Sequence, residues 1–310
     1  MRMVSQNAGL RARRFFSVLL VVSAVLAAAP VFAAGRSEQR ERTGPIGVYA
    51  SVAPQAYIVG RIGGNHVTVG VLIGPGQDAH TYDPTPREVE RLANAEILFT
   101  TGLEYEARIV DTLRRSQSGL EIVDLTAGIE LRELEAHYHD PTVPHSHDNE
   151  PGDPHIWLGP AEVRVQAQTI RDALSRARPE LAGEFSRRYD AFIAEVDALE
   201  AEIAELLAPK RGTTILVYHP AFGYFTDHFG IEQLAIEAGG REPSPRLLNV
   251  TIEKALAAGV DVIFTQPEYD DVASRAVARA IGARTVEITD LDRDWPALMR
   301  RIAEAIAHGR

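Results

Sequence analysis

The sequence has no cysteine, an excess of acidic over basic residues, and no apolar run of membrane length beyond its first thirty or so positions. Each shortage excludes something. Without a thiol, the chain forms no disulfide, offers no thiolate to a metal and carries no lipid-attachment cysteine behind a leader. Any metal must then be held by histidine or carboxylate. With 32 Lys+Arg against 43 Asp+Glu and a net charge of −11, the surface argues against nucleic acid or an anionic membrane as partner. It is compatible with a cation as ligand. Also missing are an HExxH helix, a Gly-x-Ser-x-Gly elbow and a general base placed by motif, so a hydrolytic reading has no sequence support of its own.

What is present begins with a leader. Arg11, Arg13 and Arg14 precede the apolar stretch Phe15 to Ala29, and Val31-Phe32-Ala33 supplies small residues for cleavage. Residues 1–34 therefore read as a signal peptide whose apolar part is too short to span a membrane. The product is expected free in an exported compartment, without a membrane anchor.

The second feature is a histidine tract. Residues 137–155, HYHDPTVPHSHDNEPGDPH, hold His137, His139, His145, His147 and His155, five of the ten histidines in the chain. Four prolines exclude a helix or a central strand. A single His-x-His pair in a loop is ordinarily a solvated polar linker. Two such pairs followed by Asp153-Pro154-His155 favour metal binding.

Around the tract, strand and helix patterns alternate. Strands are expected at 46–50, 67–72, 97–100, 121–125, 214–218, 232–236, 262–265 and 285–288. Helices are expected from Ser51 (as cap), at 86–93 and 104–115, from His219-Pro220, and at 295–307 with Asp294 as cap, while a Gly/Pro-rich loop leads through 250–258 to the strand at 262–265. Such alternation predicts an α/β fold with parallel sheets covered by helices on both faces. Residues 93–100 (ANAEILFT) and 258–265 (AGVDVIFT) look like one position in two copies of a unit, so two lobes are expected. Between them, Leu181, Phe185, Tyr189, Phe192, Val196, Leu199, Ile203 and Leu206 recur at helical spacing. They predict one long, rigid connecting helix that restrains lobe motion. The expected organisation is an N-terminal lobe at 35–163 including a His-rich loop at 135–154, a connecting segment at 164–210 and a C-terminal lobe at 211–310.

His80, His155 and His219 all sit on loops that leave predicted strands or open helices. In open α/β sheets that is where ligands bind, so the three converge on one cleft by topology. His66, His228 and His308 have no such context and read as structural. The motifs PGQDAHTYDPTP (75–86), DPHIWLGP (153–160) and YHPAFGYF (218–225) resemble the three histidine motifs of the metal-binding receptors of zinc and manganese ABC importers, the ZnuA-like solute-binding proteins. The resemblance covers essentially the whole chain after the leader. It implies a metal at the interface of two lobes, with His80, His155 and His219 as ligands. It also implies a periplasmic, monomeric receptor, not an enzyme, that delivers its metal to a membrane permease driven by a cytoplasmic ATPase.

Ala79 departs from the proline common before the first ligand. For the fourth ligand the segment 287–295 offers Asp290 first and Asp292 second, with Glu268 a weaker candidate and water a further option. Three imidazoles with one carboxylate or water make a tetrahedral site suited to Zn²⁺; Mn²⁺ prefers more oxygen ligands. Zinc is therefore the expected cargo, with His137, His139, His145 and His147 as a weaker secondary site. A manganese or iron receptor, a zinc-dependent hydrolase and a stand-alone zinc buffer are the alternatives.

Overall fold

A computed structural model describes residues 44–79, 82–115, 119–133, 152–237, 243–269 and 272–309. The leader, His80 and the four secondary histidines lie outside these described residues. The first sheet contains β1 (Ile46–Val52), β2 (Val67–Ile73), β3 (Ile97–Thr100) and β4 (Glu121–Asp124), in the order β2-β1-β3-β4. The second contains β5 (Thr214–Val217), β6 (Glu232–Ala235), β7 (Val262–Thr265) and β8 (Arg284–Glu287), in the order β6-β5-β7-β8. Every pairing in both sheets is parallel. Parallel strands need crossover connections, and helices supply them.

In the first lobe these helices are α1 (Ala53–Gly63), α2 (Pro86–Ala93) and α3 (Glu104–Arg115), followed after β4 by α4 (Pro160–Ala177). The connecting helix α5 (Ala182–Leu207) leads to α6 (Gly223–Phe229), α7 (Pro245–Ala257), α8 (Val272–Ile281) and α9 (Trp295–His308). The two 97–100 and 262–265 segments do occupy the same place in their sheets, as β3 and β7. Among the described residues no helix is long and apolar enough to cross a membrane.

Helix α5 has 26 residues, about 39 Å at 1.5 Å per residue. Its buried residues are Phe185, Phe192, Val196, Leu199, Ile203 and Leu207. Five of them belong to the expected stripe, while Leu207 takes the buried place expected of Leu206, Tyr189 is half-buried and Leu181 lies in the 3-10 turn before the helix. The stripe packs into a core shared by both lobes that also contains Ile58, Ile170, Trp157, Trp295 and Ile302. The two tryptophans of the chain join the lobes directly. Trp295 Nε1 donates to Trp157 O at 2.7 Å, and Trp157 Nε1 donates to Asp290 O at 2.8 Å. A smaller core (Leu216, Ile236, Ile263, Val277) lies on the other face of the second sheet under α7 and α8, so that sheet is covered on both sides.

Several local expectations change. Ser51 does not cap α1; it continues β1 and donates its hydroxyl to Phe99 O at 3.1 Å. The cap position is Val52, which provides no side-chain bond, and a proline in the first turn starts the helix. The helix expected at His219-Pro220 begins at Gly223, which leaves 218–222 as a loop. The segment through 250–258 belongs to helix α7, which starts at Pro245, where Ser244 accepts from Leu247 N at 3.2 Å and caps it. The expected 163/164 boundary falls inside α4. Asp294 caps α9 as expected, accepting from Ala297 N at 3.2 Å.

Candidate metal centre

His155 is held by its own turn. After Asp153 and Pro154 the chain enters a 3-10 turn at Ile156–Leu158 and then α4. The carboxylate of Asp153 accepts from His155 N at 2.9 Å and lies 2.7 Å from the ring nitrogen Nδ1. Thr101, just past β3, donates its hydroxyl to Pro154 O at 3.0 Å and ties this turn to the first sheet. Asp153 is fully buried. Burial alone would raise its pKa, but the charge and hydrogen bonds of His155, together with Arg132, outweigh burial and hold it below the usual range.

His219 comes from the second sheet. Tyr218 N, one residue past β5, donates to Phe264 O at 3.0 Å, continuing the ladder to β7. The side-chain amide of Gln266 then clasps the backbone of His219, accepting from its N–H at 3.0 Å and donating to its carbonyl at 3.1 Å. Glu237, just past β6, lies 2.7 Å from His219 Nδ1. The ring of Tyr269 stacks on the imidazole with centroids 4.8 Å apart and planes 28° apart.

These two clamps aim the imidazoles at each other: the Nε2 atoms of His155 and His219 are 3.1 Å apart, and both residues are buried. Each Nδ1 faces a carboxylate, which accepts only, so each neutral ring carries its proton there. With both rings in the neutral form that ligates metal, their Nε2 lone pairs face one another, an arrangement that a cation between them would satisfy. Two nitrogens bound to one tetrahedral ion at 2.0–2.1 Å are about 3.3 Å apart, close to the spacing here. A carboxylate behind each imidazole is the usual outer support of a histidine metal ligand.

The remaining candidates divide. Asp290 is buried, and its carboxyl is pushed up to about 7 by burial and by the negative charge of Glu268, against the opposing pull of His219. Asp292 is committed elsewhere, pairing with Arg301 and accepting from Asp294 N at 2.9 Å. Glu268 uses one oxygen to accept from Gly76 N at 3.1 Å and from Thr289 Oγ1 at 2.9 Å. Its other oxygen is buried without a hydrogen-bond partner. Among the described residues no three His or carboxylate groups are gathered to hold a metal ion, so only the His155–His219 pair is assembled there. His66 and His228 pair with Glu184 and Glu200, at 3.0 and 2.7 Å.

Sequence reasoning singled out Asp153 only as part of a motif and missed Glu237, Gln266, Tyr269 and Trp157. Asp153 had a signal, since Asp-Pro-His places a carboxylate two residues before an imidazole. Glu237 had none, because it meets His219 only through the pairing of β5 with β6.

Comparison with known proteins agrees with this architecture. The family model described as "Zinc-uptake complex component A periplasmic" (ZnuA) matches residues 48–309. The "High-affinity zinc uptake system protein ZnuA" of Yersinia pestis is 28% identical over 259 residues, covering 77% of this chain and 80% of that protein. The "Zinc-binding lipoprotein AdcA" of Streptococcus pneumoniae (serotype 4) is 24% identical over 271 residues, covering 84% of this chain; the chain spans about half the length of that relative, 53%. A solved structure described as "Crystal structure of ZnuA" superimposes with a TM-score of 0.76 at 30% identity, covering 85% of this chain and 98% of that one. With the family model running from β1 to the last helix, the chain belongs to the ZnuA family of periplasmic zinc-uptake components.

Proposed function

We propose that this protein is the zinc-capturing receptor of an ABC-type importer. It holds Zn²⁺ between its lobes with His80, His155 and His219, and Asp290 serves as the fourth ligand. It acts as a monomer in the periplasm after removal of residues 1–34, and hands the ion to a permease driven by a cytoplasmic ATPase. The observation that carries this reading is the facing pair of Nε2 atoms, 3.1 Å apart, with a carboxylate behind each ring. His137, His139, His145 and His147 form a weaker secondary site. The protein captures and releases the metal without transforming a substrate.

Zinc is favoured over manganese by the imidazole-rich donor set. Calorimetric titration of the protein freed of its leader, with both metals competed against a chelator, tests the assignment. One tight zinc site with much weaker manganese binding is expected. Manganese binding as tight as zinc would move the cargo to manganese, and no tight site for either metal would remove the reading. Binding of a structural zinc is worth about 10–16 kcal/mol shared among about four ligands, so losing one costs on the order of a hundredfold in affinity or more. His80→Ala, His155→Ala and His219→Ala should each show that loss, while deletion of 137–147 leaves the tight site nearly intact. Equal losses from the histidine changes and the deletion would refute the division between primary and secondary sites.

A further inference from the structure

Arg132 touches the support of His155 from the side opposite the imidazole. Its Nη1 donates to Asp153 Oδ2 at 3.1 Å, while the other oxygen of that carboxylate faces the His155 ring. Its Nε donates to Asp227 Oδ2 at 3.0 Å, and Asp227 lies on α6 in the second lobe. The guanidinium also lies over the ring of Tyr224, 5.9 Å from its centroid. The backbone joins the same knot. Arg132 N donates to Tyr224 Oη at 3.2 Å, Tyr224 Oη donates to Asp153 O at 2.8 Å, and Asp153 N donates to Arg132 O at 2.8 Å.

Gly223, the first residue of α6, makes room for this arrangement. A methyl group on its α-carbon would collide with the Arg132 guanidinium itself. With glycine at this position the guanidinium can sit directly over the start of α6, and a side chain there would push it aside.

We propose that Arg132 is a positioning residue of the metal centre, seated over Gly223 so that one guanidinium locks Asp153, and through it the His155 ring, against the second lobe. A carboxylate shared between Arg132 and His155 has one orientation available, because both of its oxygens are engaged. Arginine suits this task because its rigid fork meets two carboxylates at once, which a lysine ammonium on a flexible stem does not. The inference rests on the zinc reading for its functional consequence, since His155 is a ligand only there.

The test compares Arg132→Gln, Arg132→Lys and Gly223→Ala with the wild type. Gly223→Ala keeps every charge and improves helix propensity, so it displaces the guanidinium without removing it. Zinc release into excess chelator should be about tenfold faster in Arg132→Gln and in Gly223→Ala, the lower end of the effect of losing a metal ligand's supporting group. Arg132→Lys should recover only part of the loss. In the metal-free protein, hydrogen exchange at the His155 amide, which donates to Asp153, should quicken in both variants while the melting temperature falls by no more than a few degrees. Unchanged release, unchanged His155 exchange, or losses that merely follow a large drop in melting temperature would overturn the proposal. If wild-type protein binds no zinc tightly while His155 exchange still quickens in both variants, the zinc reading fails and the hold of Arg132 on Asp153 stands.

Discussion

The two sheets share a strand order but not a chemistry. Phe99 of β3 pairs with Ala50 of β1, and Phe264 of β7 pairs with Val217 of β5. Aligned through these phenylalanines, Val52 in the first lobe stands where His219 stands in the second. Val52 is still paired with Ile73 in the ladder, is fully buried, and runs straight into α1. At the equivalent point β5 has ended, and five loop residues separate it from α6. The repeat thus supplies the same scaffold twice, and the length of the first strand decides whether the position after it packs the core or reaches the cleft.

The two imidazoles are also supported differently. The carboxylate for His155 comes from two residues away, the one for His219 from eighteen residues away on the neighbouring strand's loop. Removing either should weaken zinc binding by about 10–100-fold. Asp153→Asn should lie at the upper end, because its single oxygen cannot serve both the His155 ring and Arg132, and Glu237→Gln at the lower end. Chelator competition ranks them, and a reversed order would show that the long-range support matters more than the local one.

The tryptophan bridge separates the whole molecule from its halves. Trp295→Phe removes the donor to Trp157 O and leaves a buried acceptor unpaired, at a cost of about 1–3 kcal/mol. Urea unfolding should show this as a lower midpoint; an unchanged midpoint would mean that the lobes hold together without the bridge.

A carboxyl within the first lobe gives a pH signature. Glu106 is buried and accepts from the N–H groups of Thr101 and Gly102, at 3.0 and 2.8 Å. Burial pushes its pKa up to about 7 in spite of those bonds. A carboxyl raised in the folded state contributes stability that is present below its unfolded value and lost as pH rises through the folded value. The stability of the wild type relative to Glu106→Gln should therefore shrink between about pH 5 and pH 8. Melting curves across that range check it, and a gap that widens with pH would contradict the sign.

The smallest contrast concerns helix starts. In the first lobe Thr85 and Glu88 form a reciprocal capping box on α2, whereas Ser244 caps α7 with a single bond. Thr85→Ala and Ser244→Ala should each cost about 1 kcal/mol, with the larger loss at Thr85. Their unfolding midpoints measure the difference.

Much of the scaffold was readable from residue order. The bounds of α2, β3, α3 and β7 follow from apolar period, prolines and caps, and so does the stripe of α5. These are local signals, in which neighbours along the chain set the backbone. Errors came where a local signal had two outcomes. Ser51-Val52-Ala53-Pro54 permits a cap or one more turn of strand, and pairing of Val52 with Ile73 chose the strand. His219-Pro220 permits a helix start, but the clasp of Gln266, 47 residues away, holds this stretch as loop.

The site divides in the same way. Histidine type and placement at strand ends are written in the chain and make His80, His155 and His219 converging candidates; the ligand assignment and zinc as cargo came from the resemblance of their three motifs to a family of metal receptors. That His155 and His219, 64 residues apart, bring their Nε2 atoms to 3.1 Å from each other is not written there. Nor is the choice of Glu237, Gln266 and Arg132 as supports. Those depend on which strands pair and which loops meet, and such contacts between distant residues leave no period or spacing in a single sequence.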